Sequence, residues 1–206
     1  MRISRILAPV TALGPGRRVG LWVQGCDLAC PGCASTDTWN PYAGTEIHET
    51  DVANQVLSHV RAHNLTGLTI SGGEPFQQPD ALTVVIDAVK EAAPNTDVLA
   101  FTGYTTAVAR RRSPELINRL DILIAGRYDQ TRPSGGPLLA SDNQEVTLLT
   151  ELGRQRFTQL SGPRLQVTAT EDQVFILGLP EAGDLQRLED ELRTTGIHLE
   201  GVSWRA

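Results

Sequence analysis

The run LTISGGEPFQQPDALTVVIDAVKEAA, residues 68–93, decides the fold. Leu68 to Ser71 is short, apolar and β-prone, and Gly72-Gly73-Glu74-Pro75 interrupts it. Asp80 to Ala93 then spaces its apolar residues at the helical period until Pro94 stops the helix. Strand, glycine turn and helix form one unit, and the unit recurs. Upstream, Val19 to Gln24 reads as a strand that opens at Gly25 into a cysteine-rich loop running through Trp39, Asn40 and Pro41. A helix is predicted over Glu49 to His63, with Val52, Val56, Leu57 and Val60 on one face and capping chemistry at Thr50 and Asp51. Downstream, Asp97 to Thr102 is a third strand ending in Gly103-Tyr104; a helical segment follows, and Asp121 to Ala125 is a fourth strand ending at Gly126. Such alternation predicts parallel α/β architecture, doubly wound or a full or partial (β/α) barrel, with the site at the strand C-termini.

Beyond the fourth strand, Arg127 to Asn143 is rich in Pro, Gly, Ser and Asp and reads as a long loop before a fifth strand, Glu145 to Leu149. Leu165 to Thr168 and Val174 to Leu177 flank a turn at Glu171-Asp172, Leu185 to Leu192 reads as a helix, and Ile197 to Trp204 as a last strand. The expected organisation is a core over 1–150 and a small C-terminal α+β extension over 151–206 packed on it, its pattern clearest from Gln166 onward. The 206 residues suit one domain with an appendage.

The net charge of -6 repels phosphate backbones, so a nucleic-acid partner is not expected, and Arg110-Arg111-Arg112 reads as a solvated helix end. No apolar run approaches bilayer length, and Met1 to Val10 lacks a cleavage-like site. A cytoplasmic protein without a membrane partner is expected. His48, His59, His63 and His198 are read as carrying no ligand spacing.

The three cysteines fall in one segment, Cys26-Asp-Leu-Ala-Cys30-Pro-Gly-Cys33. An odd number so close together argues against a disulfide framework and for a metal or cluster site. A [4Fe-4S] cluster on three thiolates leaves one iron open for a ligand. A structural zinc site would want a fourth ligand, from Asp27, His48 or a partner chain. A non-catalytic iron-sulfur or zinc module therefore stands as the alternative. In Ser71-Gly72-Gly73-Glu74-Pro75, the glycines permit positive φ and close backbone approach, and Pro75 holds Glu74 extended. Backbone groups and carboxylate suit an ammonium; the alternative is an ordinary turn.

With these motifs in place, the chain resembles the radical S-adenosylmethionine superfamily, and within it the activating proteins of anaerobic ribonucleotide reductase and related glycyl radical activases. The likeness runs from about Gly14 to Leu149. It rests on Gly14-Pro15-Gly16-Arg17, Val23-Gln24-Gly25-Cys26, Cys30-Pro31-Gly32-Cys33, Thr38-Trp39, Ser71 to Pro75, Thr102-Gly103-Tyr104, Ile122 to Gly126 and Ser141-Asp142-Asn143-Gln144. The resemblance implies a partial barrel of radical SAM type, with Cys26, Cys30 and Cys33 holding a [4Fe-4S] cluster whose open iron chelates S-adenosyl-L-methionine. It further implies that Gly72, Gly73, Glu74 and Pro75 help bind the cofactor's ammonium, that Thr102 and Tyr104 line its ribose or methionine side, and that Asn143 contacts the adenosyl part. Trp39 is expected beside the cluster.

An electron from flavodoxin or ferredoxin is then expected to cleave the cofactor to a 5'-deoxyadenosyl radical that abstracts hydrogen. The leading function is formation of a glycyl radical on a partner protein. The alternative within the superfamily is modification of a small molecule or peptide. A valine at Gly73 is expected to spare the cluster and weaken cofactor binding. Where such activators usually end the fourth strand in Asp-Gly, this chain has Ala125-Gly126.

Overall fold

The computed structural model describes residues 1–169, 173–181 and 183–203. Its frame is an open seven-stranded sheet built from β1 (Arg2–Val10), β2 (Arg18–Val23), β3 (Thr45–Glu46), β4 (Gly67–Gly72), β5 (Asp97–Thr102), β6 (Ile122–Ala125) and β7 (Glu145–Leu148), in the order β3-β1-β2-β4-β5-β6-β7. The inner four, β2, β4, β5 and β6, are parallel. β1, β3 and β7 add antiparallel borders. The sheet has free edges at β3 and β7 and does not close into a full barrel.

The crossovers are α1 (Glu49–His63), α2 (Pro79–Ala92) and the short pair α3 (Thr106–Arg112) and α4 (Pro114–Ile117). Side-chain alternation along each strand divides the core in two. Val19, Leu21 and Val23 of β2, Leu68 and Ile70 of β4, Val98 and Ala100 of β5, and Leu123 and Ala125 of β6 meet the apolar stripes of α1, α2 and α4. Each fully buried Val, Leu or Ile there contributes about 1.5–3 kcal/mol relative to exposure. On the other face Trp22, Leu99, Ile122 and Ile124 are covered by Val10, Leu138, Leu139 and Leu177. The long loop between β6 and β7 therefore packs as part of the second layer.

After β7 come α5 (Glu151–Phe157), the antiparallel pair β8 (Leu165–Ala169) and β9 (Val174–Gly178), and α6 (Asp184–Thr194). The pair is fastened to the end of β1 by Gln166, whose side chain accepts from Thr11 N at 2.7 Å and donates to Pro9 O at 2.8 Å.

Several expectations change. β1 was not expected, because charged Arg2 and Arg5 and Pro9 break any clean alternation. The last strand expected over Ile197 to Trp204 is absent through Ser203, and Trp204 and the Glu171-Asp172 turn lie outside the described residues. α1 is capped by His48, whose ring accepts from Thr50 N, in place of Thr50 and Asp51. His59 and His63 stand one turn apart on α1 with ring centroids 6.1 Å apart. Among the described residues no group of three His, Cys, Asp or Glu is disposed around a single metal ion, and no helix is long and apolar enough to cross a membrane.

Candidate functional site

The C-terminal ends of β2, β4, β5 and β6 share one rim of the sheet, because parallel strands in register end together. β2 leads into the cysteine loop, and the base of that loop is closed by main-chain bonds: Gly25 N donates to Thr38 O at 2.8 Å and Cys26 N to Trp39 O at 3.1 Å. Gln24 reinforces this closure by donating to Asp37 O at 3.1 Å and Asn40 O at 2.9 Å. Inside the loop Cys33 N donates to Cys30 O at 3.1 Å, with Gly32 at φ +75°. Pro31 and Gly32 thus occupy the places that a tight turn reserves for Pro and for a residue of positive φ.

All three cysteines are free thiols, Cys30 buried and the others half-buried. Cys26 sulfur is approached by the main-chain N–H groups of Leu28 and Ala29. Cys33 sulfur receives Ser35 N–H at 3.4 Å and a bond from the Trp39 side chain, which puts Trp39 beside the cysteine loop. Burial pushes both thiols above the usual range, against these donors. In the cluster-free chain the folded state therefore keeps these protons to higher pH than the unfolded state does. Any stability they lend is present below the ordinary thiol range and is lost as pH rises through the raised values. Iodoacetamide alkylation of cluster-free protein, followed by mass spectrometry, should begin at higher pH than in urea-unfolded chain; onset at or below the unfolded value would contradict this burial.

The glycine turn after β4 is locked to the cysteine loop. Gly73 N donates to Val23 O and Glu74 N to Gly25 O, each at 2.8 Å. A Cβ on Gly73 would lie 2.1 Å from Gly25 O, so no side chain fits there. A Cβ on Gly72, at φ +104°, would lie 2.5 Å from Val23 O. A valine at Gly73, expected to spare the cluster and weaken cofactor binding, would therefore meet the main chain of the cysteine loop.

Glu74 is 1 % exposed and turned inward. Its Oε1 accepts from Phe76 N at 2.9 Å and Thr102 Oγ1 at 2.7 Å, and its Oε2 accepts from Gly103 N at 2.8 Å. Burial pushes its pKa up, opposed by these three donors. The carboxylate is thus a clasp between β4 and β5, with both of its oxygens engaged by protein donors. Pro75 is buried and opens the 3-10 turn Pro75–Gln77. Replacing Glu74 by Gln should turn an amide N–H₂ toward a buried N–H donor and cost about 1–3 kcal/mol. Urea denaturation measures this, and an unchanged midpoint would remove the clasp from the account.

Thr102 is likewise spent on structure, donating to Glu74 and accepting from Tyr104 N at 3.1 Å. It is 5 % exposed. The Tyr104 ring lies under the Arg112 guanidinium, 4.4 Å from its centre, so the end of the basic run is partly engaged. Tyr104 Oη accepts from Gln77 Nε2 at 3.3 Å, and Gln77 also donates to Asp27 in the cysteine loop. Asn143 is exposed and donates to Arg127 O at 2.7 Å, while the Arg127 side chain donates to Leu28 O. Gln77 and Arg127 were missed by sequence reasoning. Both lie within two residues of a motif's end, but their partners are 50 and 99 residues away. A zinc-closing role finds no support in Asp27 or His48: the first accepts from Gln77, and the second caps α1.

Residues 12–147 match the family described as "4Fe-4S single cluster domain". The chain belongs to this family, among the radical S-adenosylmethionine activases. The chain is similar to the "Anaerobic ribonucleoside-triphosphate reductase-activating protein" of Enterobacteria phage T4, 31% identical over 148 residues, 71% of this chain and 93% of that protein. The protein of the same name from Salmonella typhi is 31% identical over 124 residues, 57% of this chain and 78% of its own length. The "Pyruvate formate-lyase-activating enzyme" of Listeria monocytogenes serovar 1/2a is 34% identical over 125 residues, 60% of this chain but 48% of that enzyme. This activase therefore spans about half of the pyruvate formate-lyase type and nearly all of the phage type.

Proposed function

We propose that this chain is a radical S-adenosylmethionine activase that forms a glycyl radical on a partner enzyme, using an electron from a flavodoxin or ferredoxin. The observation that carries the reading is the junction of the two motifs: Glu74 N bonded to Gly25 O at 2.8 Å, with no room for a side chain at Gly73. It ties the cysteine loop to the glycine turn on the rim where α/β sheets place their sites.

The donor set fits a [4Fe-4S] cluster: three free thiols on one loop, with N–H groups already directed at two of the sulfurs. Cys26, Cys30 and Cys33 would hold it. When bound, such a cluster with one open iron supplies the electron that cleaves S-adenosyl-L-methionine to a 5'-deoxyadenosyl radical. The protein's part is orientation. Main-chain groups of Gly72 and Gly73 would take the cofactor's ammonium, while the buried Glu74 and Thr102 hold the ends of β4 and β5 in place. Tyr104 and Asn143 would border the adenosyl side. In this reading the four parallel strands act as a partial barrel, the segment over 151–206 is an extension packed on it, and the protein works in the cytoplasm.

The test is anaerobic reconstitution, reduction by dithionite or flavodoxin, and quantitation of 5'-deoxyadenosine, followed by electron paramagnetic resonance after mixing with a candidate glycyl radical enzyme. A glycyl signal supports the reading. Cofactor cleavage without that signal favours a small-molecule or peptide substrate, and a fully loaded cluster without cleavage favours a non-catalytic module.

A further inference from the structure

After α6 the chain returns to the cysteine loop. Thr36 Oγ1 donates to the main-chain oxygen of Ser203, and Ser203 Oγ donates to Ala34 O at 2.6 Å. These two bonds grip the residues on either side of Ser35. Ser35 is the residue whose N–H reaches Cys33 sulfur at 3.4 Å. The far end of the same limb is held independently, by Thr38 N and Oγ1 on Ser35 O at 3.0 and 2.7 Å and by Gly25 N on Thr38 O at 2.8 Å. At the near end, where the limb leaves Cys33, Ser203 adds the two bonds to Ala34 and Thr36, beside the bond from Trp39 N to Thr36 O at 3.1 Å.

We propose that Ser203 is a positioning residue for the third cysteine, and that the segment over 197–203 is a strap across the outer limb of the cysteine loop. The proposal rests on the cluster reading above and goes beyond it. The matched family region ends at residue 147, so the strap lies outside what the family shares. Its chemistry is local. By fixing Ala34 and Thr36 the strap keeps the Ser35 N–H directed at the sulfur, and an N–H bond to a cluster sulfur raises the cluster's reduction potential by stabilising the more negative reduced state.

Three full-length proteins test this: Ser203→Ala, the double variant Ser203→Ala with Thr36→Val, and Ser203→Thr, which keeps the hydroxyl. The first readout needs no cluster. Amide hydrogen exchange of the cluster-free proteins should rise about fivefold to tenfold over 34–36 in the double variant, as expected for losing about two modest hydrogen bonds, with the amides of Thr38 and Trp39 unchanged. Ser203→Thr should exchange like the wild type. The second readout is the reconstituted cluster: Ser203→Ala should show a lower reduction potential and faster iron loss to a ferrous chelator, and Ser203→Thr should restore both. Unchanged exchange over 34–36 in the double variant overturns the strap whether or not any protein takes up iron. Faster exchange with unaltered potential and iron loss overturns the positioning role. Failure of the wild type itself to assemble a cluster overturns the cluster reading, and with it the role assigned to Ser203, while leaving the exchange result to decide the strap.

Discussion

Cys30→Ala, reconstituted anaerobically with iron and sulfide, is expected to hold iron near background where the wild type holds about four atoms per chain. Cys30 is 8% exposed, the most deeply buried of the three thiols, and its carbonyl accepts the bond from Cys33 N that shapes the turn between them. Alanine keeps that main-chain bond, so the cluster-free fold should survive and far-ultraviolet circular dichroism should match the wild type. What is lost is one of three thiolates, and two do not retain the cubane with an iron left open. Production of 5'-deoxyadenosine should fall with the iron. A variant that binds iron and cleaves the cofactor normally would remove Cys30 from the ligand set.

Gly73→Val is the second large effect, and its origin is steric. Gly73 has no positive φ to preserve; its constraint is that a Cβ would stand 2.1, 2.7 and 3.0 Å from the O, C and N of Gly25. These are main-chain atoms that no rotamer change can withdraw. The peptide at Gly25 has to move, which breaks the bond from Glu74 N and disturbs the closure between Gly25 N and Thr38 O. Such overpacking costs about 1–3 kcal/mol or more, concentrated where the cysteine loop joins the sheet. Iron content should fall below about half of wild type, with a lower urea midpoint for the cluster-free protein. Full iron content with weakened cofactor affinity would mean that the loop and the turn are mechanically independent.

Much of this arrangement was readable in the sequence, and the reasons differ by element. α1 and β5 fall where the sequence pattern puts them, over Glu49–His63 and Asp97–Thr102, because α1 buries one apolar stripe and β5 is a short apolar run buried on both faces. The cysteine spacing and the double glycine were visible because both chemistries are confined to a few consecutive residues. β1 escaped notice because its burial is decided by β2 and β3 alongside it, not by its own pattern. The segment over 197–203 misled in the opposite sense. Its alternating Ile197 and Leu199 suggest a strand, but no strand partner meets it, and its polar Ser203 docks on the cysteine loop instead.

At the site, residue identity foretold location better than orientation. Glu74 and Thr102 do lie on the rim, yet they bond to each other across 28 residues of sequence, and nothing local distinguishes a carboxylate that clasps two strands from one that greets a ligand. The same holds for Gln77, whose donation to Asp27 and Tyr104 ties three loops together.

The central claim is that three cysteines hold a cubane with one iron free for S-adenosyl-L-methionine. Its most direct test is Mössbauer spectroscopy of ⁵⁷Fe-reconstituted protein, recorded without and with the cofactor. The account predicts that about a quarter of the iron signal shifts on cofactor addition while the rest stays put. A spectrum that does not respond to saturating cofactor, with every iron already fully coordinated by the polypeptide, would contradict it.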